Sequence, residues 1–247
     1  MSQQWGHPAF WLKRITLASR WLAGAGGVCL IVGLLWALYF SPPDYQQGET
    51  VRIMYVHVPA SWGALAIYMG MAIMSSIAFI TRTVMGLLLT KAFSLIGITL
   101  TGISVVTGAI WGMPTWGTWW VWDARLTSML LLFFLYCGYS FLLRAFDDAD
   151  KGLRAGGVLI MLGSINIPII KWSVDWWHTL HQPASLLRFA KPAIHGQFLG
   201  PLLTMAVAFL LLSLWMGLLR LRTLLTMRKL MALQLRQPSL AEWKLAA

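Results

Sequence analysis

Residues Trp21 to Phe40 read WLAGAGGVCLIVGLLWALYF, twenty positions without a charge. A helix of that length rises about 30 Å, the thickness of a bilayer's hydrocarbon core. The run exceeds the roughly 7–15 apolar residues of a secretory signal, and no small-x-small cleavage site follows it, so it is expected to stay as an anchor. Working outward, five more stretches follow the same rule: Pro59 to Thr81 with an uncharged approach from Ile53, Ala92 to about Ile110, Leu126 to Leu143, Ala155 to Ile170, and about Gln197 to Leu219. The fourth and fifth are short and borrow a turn from their flanks, and Pro168 predicts a kink or frayed end. The predicted fold is therefore all-α, a single membrane domain (1–247) of six transmembrane helices.

Composition agrees. Of 247 residues 58% are hydrophobic and 11% charged, too few ionisable groups to keep the outside of a soluble domain wet. Lys and Arg total 19 against 8 acids, giving +11. Fourteen of the cations (Lys13, Arg14, Arg20, Arg82, Lys91, Arg144, Lys151, Arg154, Arg220, Arg222, Arg228, Lys229, Arg236, Lys244) fall at one set of segment ends. Only Arg52, Arg125, Lys171, Arg188 and Lys191 fall at the other. Positive ends stay cytoplasmic, so both termini are expected inside, with residues 220–247 as a basic cytoplasmic tail that can touch membrane lipids. No nucleic-acid pattern accompanies the charge, so no nucleic-acid partner is expected. Cys29 and Cys137 lie inside apolar runs and read as small packing residues.

The opposite face gathers three loops, Ser41 to Val58, Trp111 to about Asp123 and Lys171 to Gly196. At these loops or their edges lie nine of the fifteen Trp, with His57, His178, His181 and His195. An aromatic belt alone would put comparable numbers at both interfaces. In WGMPTWGTWWVWDARLT, Trp111 to Thr127, Gly112, Pro114 and Gly117 are expected to interrupt helix propagation, and the Trp spacing fits neither a helix face nor a strand. This segment is either an interfacial anchor or a slot for a large planar ligand, since indoles offer wide π-faces. Asp123 is either a helix N-terminal residue or part of the site. Arg52 and Arg125 either pair with Asp44, Glu49, Asp123 or Asp175, or receive an anionic ligand. Singly, each His is explained as a hydrogen-bonded interface residue. Together, imidazoles from two loops could hold an iron from opposite sides, with Trp over a porphyrin and Arg52 and Arg125 at its propionates. That arrangement predicts heme. Zinc, a phosphate loop and covalent C-x-x-C-H attachment lack their motifs, and a Ser173–His178–Asp175 hydrolase lacks its nucleophile elbow.

The run Trp116 to Asp123, WGTWWVWD, continued by ARLT, resembles the tryptophan-rich WWD signature of heme-handling proteins in cytochrome c biogenesis. P-x-D-Y-Q-Q-G from Pro42 to Gly48, RIMYVHVP from Arg52 to Pro59 and WWHTLHQ from Trp176 to Gln182 extend the match over nearly the whole chain. With six spans and this short length, the chain resembles the cytochrome c maturation protein C (CcmC, heme exporter protein C) family; the larger heme lyases share the signature but carry more membrane segments. The resemblance implies non-covalent heme b bound at the periplasmic face of the bacterial inner membrane and presented to the heme chaperone CcmE. It implies work beside the ABC-transporter subunits CcmA and CcmB and the small membrane protein CcmD, with ATP hydrolysis in a partner only, so a handling subunit rather than an enzyme. It also implies that His57 and His181 are the axial ligands, that Trp111, Trp116, Trp119, Trp120, Trp122 and Asp123 form the heme-contacting and chaperone-docking loop, and that His178 is a local competitor. Two rivals remain. A b-type cytochrome needs His pairs within facing helices, and no apolar segment has a His near its middle; a structural subunit or permease would use the outer Trp as anchors.

Overall fold

The computed structural model describes residues 8–177, 179–181 and 194–234. His178, the 182–193 part of the third loop with Arg188 and Lys191, and Arg236 and Lys244 of the tail lie outside the described residues. The described residues form seven α-helices: α1 Pro8–Leu35, α2 Met54–Thr81, α3 Met85–Trp116, α4 Ala124–Leu142, α5 Ala149–Gly163, α6 Asn166–Trp176 and α7 Gly196–Gln234. There is no strand among the described residues. With α5 and α6 taken as one broken span, six helices are long and apolar enough to cross a membrane, as the apolar runs predict.

The break in the fifth span lies at Ser164 and Ile165, upstream of Pro168. Pro168 stands in the first turn of α6, where its missing N–H costs no helical bond. Asn166, buried at the break, donates from Nδ2 to the Ser128 carbonyl at 2.8 Å and ties the restart of the helix to α4. α7 runs 39 residues without interruption, about 58 Å at 1.5 Å per residue. That is nearly twice the bilayer core, so the basic stretch from Arg220 onward continues the helix beyond the span.

Helices in lipid gain little from hydrophobic contact with one another and associate by close packing and hydrogen bonds. α1 lies along α7, where Gly33 has the Met205 side chain pressed so close that a Cβ would meet its sulfur at 2.7 Å. α2, α3 and α4 build the main core from Ala60, Ala64, Met71, Leu100, Leu132 and three buried tyrosines, Tyr68, Tyr136 and Tyr139. Tyr136 reaches across to donate to the Ala64 carbonyl at 2.8 Å, and its ring meets Tyr68 edge-on at 5.0 Å. This rigid centre fixes the start of α2, the end of α3 and the start of α4 relative to one another, and those three ends carry the site.

Candidate functional site

The largest departure from the sequence expectation is at α3. The helix does not stop near Ile110 but runs through Gly112 and Pro114 to Trp116, and Gly117, at φ +75°, ends it. Trp111 and Trp116 are therefore helical, and only Thr118 to Trp122 form the aromatic loop. Gly112 is buried; its missing Cβ leaves room for the Trp116 ring and the Thr118 carbonyl, so it serves packing, not interruption. Pro114 forgoes one bond to the i−4 carbonyl, in the exposed last turn where water can replace it.

The first loop locks onto this helix. Asp44 accepts from the Gln46 and Gln47 amides at 2.9 Å each, and its backbone exchanges two bonds with Gly48, which sits at φ +57°. A side chain at that φ would be strained. The turn delivers Gln47 Oε1 to the indole N–H of Trp111 at 2.9 Å. A short 3₁₀ turn, Glu49–Ile53, then leads into α2. Arg52 on that turn pairs through Nε with Glu49 and donates from Nη1 to the carbonyls of Ala37 and Leu38. Those carbonyls belong to the π-helical turn Trp36–Phe40 that closes α1, so Arg52 caps the first span. One of its expected acid partners, Glu49, is therefore in place beside it.

His57 projects from the first turns of α2 onto α3. Its Nδ1 lies 3.1 Å from the Ser104 carbonyl and 3.1 Å from Thr107 Oγ1. The Thr107 hydroxyl proton is directed at the Ile103 carbonyl, 2.6 Å away, so toward His57 both neighbours are acceptors. Nδ1 therefore carries the proton and Nε2 keeps a lone pair. The ring lies over Gly108, where a Cβ would stand 3.0 Å from Cε1, and meets Trp111 edge-on at 5.7 Å.

His181 follows the same logic with different partners. Its Nδ1 faces Asp123 Oδ2 at 3.4 Å, and its ring meets Trp116 edge-on at 4.7 Å. A carboxylate only accepts, so here too the proton sits on Nδ1 and Nε2 keeps its lone pair. Asp123 is buried and does a second job: Oδ1 accepts from the Leu126 amide at 2.7 Å, capping α4. Burial first, and the nearby Arg125 cation second, hold His181 below the ordinary histidine pKa, with Asp123 opposing both. The Arg125 cation thus acts on the His181 ring from the start of α4.

The remaining predicted residues divide by exposure. Trp119 and Trp122 are 57% and 76% exposed, presenting open indole faces at the rim. Trp120 packs edge-on against Trp122 at 5.5 Å, and its buried Nε1–H has no partner among the described residues. Arg125 donates from Nη2 to the Lys171 carbonyl at 3.3 Å, while its buried Nε–H is likewise unpartnered. The site thus holds two imidazole lone pairs, two orphaned N–H donors, a cation and broad aromatic walls. That set fits a planar, metal-bearing, acidic macrocycle. Trp172 lies tilted against Trp176 at 6.0 Å and Trp177 meets Trp176 edge-on at 5.7 Å, all three about half exposed. Ser104, Thr107 and Gly108 went unread in the sequence. Their signal is the i, i+3, i+4 spacing that puts three small residues on one face near the end of an apolar helix.

Residues 1–236 match the family model described as Heme exporter protein C. The Heme exporter protein C of Bradyrhizobium diazoefficiens is 45% identical over 219 residues, covering 89% of this chain and 83% of that protein. That of Escherichia coli is 46% identical, covering 83% and 82%. A Marchantia polymorpha protein whose name reads as a ccmC-like mitochondrial protein of cytochrome c biosynthesis is 44% identical, covering 74% and 82%.

Proposed function

The chain belongs to the heme exporter protein C family, and from that membership we propose that it holds heme between His57 and His181 for transfer to a c-type cytochrome assembly chaperone. The carrying observation is a matched pair of contacts: each Nδ1 faces a protein acceptor, which assigns it the proton and leaves Nε2 for a metal. Metal-binding histidines are oriented by such outer partners, a carbonyl or a carboxylate. Heme is cargo, held as non-covalent heme b; the chain supplies two ligands, a dry aromatic seat and cations for the propionates.

Within that reading the residues have distinct tasks. Trp111 and Trp116 wedge the histidine rings, Trp119, Trp120 and Trp122 cover the macrocycle and offer the docking edge, and Arg125 meets a propionate. Arg52, which also pairs with Glu49 and caps the end of α1, is the second cation for the propionates. By the positive-inside rule the site faces the periplasm of the inner membrane and both termini face the cytoplasm. Release to the chaperone CcmE requires one imidazole to give way. The chain contains no phosphate loop, so ATP-driven steps fall to CcmA with CcmB, and CcmD completes the assembly. The direct test is the absorbance spectrum of the full chain purified from heme-replete cells. A low-spin, six-coordinate heme is expected, and a heme-free preparation overturns the proposal.

Two further outcomes follow from the geometry. Thr107→Val keeps the branched shape but removes an acceptor at His57 Nδ1, so heme affinity in a Soret titration is expected to fall about tenfold, the low end for a lost outer partner. Thr107→Ser restores the hydroxyl and most of the affinity. The second concerns pH. Because His181 is held below the usual value of about 6.5, its Nε2 stays available as pH falls through that value, and acid release of heme is expected below pH ~6.5. Arg125→Gln removes a charge that disfavours the imidazolium, so its release midpoint moves upward. In the heme-free protein the same shift has the opposite merit. Below about 6.5 the unfolded chain binds the proton that the folded chain resists, and stability falls with pH.

A further inference from the structure

A cargo held by two imidazoles leaves only when one of them lets go first, and the two are held unequally. His57 belongs to a closed circuit of hydrogen bonds between α2 and α3. The Ser61 hydroxyl, one turn along α2, donates to the His57 carbonyl at 2.8 Å. Its only proton is spent there, so the 2.6 Å contact between the Ser61 and Ser104 hydroxyls is donated by Ser104. The Ser104 carbonyl in turn faces His57 Nδ1 at 3.1 Å, with Thr107 Oγ1 at the same distance, and the circuit returns to the residue where it began. Backbone and ring of His57 are thus both tied to helices that build the main core.

His181 stands outside any helix. Among the described residues its backbone is held by one neighbour, Thr179, whose hydroxyl accepts from the His181 amide at 3.1 Å and donates to its carbonyl at 3.4 Å. Its ring has one polar partner, Asp123, at 3.4 Å, longer than the roughly 2.7–3.2 Å of a well-formed N–H···O bond. We infer that His57 is the fixed ligand and His181 the one that yields at transfer, with Ser61 and Ser104 as positioning residues for His57; this rests on heme being the cargo, as proposed above. When the bond to a clamped ring breaks, the ring stays in place and the bond reforms. When the bond to His181 breaks, a short local turn, an edge contact with Trp116 and one long hydrogen bond are what resist its departure. The electron pair stays on His181 Nε2, the vacated coordination position passes to the acceptor's own ligand, and no electron is transferred.

The test uses the full chain, purified and loaded with hemin, with heme transfer to excess apomyoglobin followed by absorbance. His181→Ala, which keeps only the clamped ligand, is expected to release heme about tenfold more slowly than His57→Ala, in line with the effect of an outer hydrogen-bond partner. Adding Ser61→Ala to His181→Ala is expected to remove that advantage, and Ser61→Thr, which keeps the hydroxyl, to preserve it. Added to His57→Ala, Ser61→Ala is expected to change nothing further, because the ring it holds is gone. In the reduced chain with both histidines present, Thr179→Ala is expected to speed displacement of the leaving imidazole by carbon monoxide about fivefold, the worth of one ordinary hydrogen bond. Equal or reversed release rates in the two histidine variants overturn the inference. So does acceleration by Ser61→Ala in both backgrounds, which makes Ser61 a general fold contact, and so does an unchanged carbon monoxide rate in Thr179→Ala. A wild-type chain that takes up no hemin removes the heme seat and this inference with it; heme that binds but leaves in the other order overturns this inference alone.

Discussion

His57→Ala and His181→Ala are each expected to convert a low-spin, six-coordinate heme spectrum to a five-coordinate one. Heme affinity should fall by more than the roughly 10–100-fold that follows loss of an outer hydrogen-bond partner. The double variant is expected to purify without heme. Alanine is the best helix former, so at His57, in the first turns of α2, the backbone is retained and the loss is chemical. The cavity left over Gly108 is the shape of an imidazole, because that ring is what the missing Cβ accommodates. Added imidazole should therefore restore the six-coordinate spectrum of His57→Ala at millimolar concentration, about the level at which weak, untethered ligands bind. Unchanged spectra in both single variants would remove the ligand assignment and, with it, the reading of this end of the bundle as a heme seat.

The six spans were legible because lipid imposes one simple rule: a long enough run without charges. The α3 terminus was not, because Gly112 and Pro114 read as breakers when taken as isolated symbols. In the folded chain Gly112 is a close-contact position under Trp116, and Pro114 falls in the exposed last turn of the helix. Arg52 shows a different limit. Its partners are the carbonyls of a π-helical turn some fifteen residues earlier, and nothing local announces that α1 ends that way. The aromatic loop and the two imidazoles could be read as a group from composition and resemblance. The atoms that set their tautomers could not. Ser104 contributes a backbone carbonyl, which every residue has, and Thr107 a hydroxyl of the kind that lipid-embedded helices usually turn back on themselves, as it also does here toward Ile103.

Asp123 joins the fold to the site through its two oxygens, and substitutions separate the two tasks. Asp123→Ala removes both the cap on Leu126 and the acceptor at His181, so it is expected to cost about 1 kcal/mol of stability together with the loss of heme. Asp123→Asn is the sharper variant. Asparagine caps a helix as well as aspartate does, so thermal unfolding of the heme-free protein is expected to stay near the wild type. Toward His181, however, the amide has no charge. With its oxygen spent on Leu126, it offers NH₂, a donor that can meet Nδ1 only if the proton moves to Nε2, the atom needed for the metal. Heme affinity is therefore expected to drop about 10–100-fold at almost unchanged stability, and chaperone loading to fall with it. The two measurements together discriminate. If Asn and Ala variants lose stability equally and Asn keeps its heme, Asp123 is a cap and no more; if Asn keeps its fold and sheds its heme, the carboxylate is what aims His181.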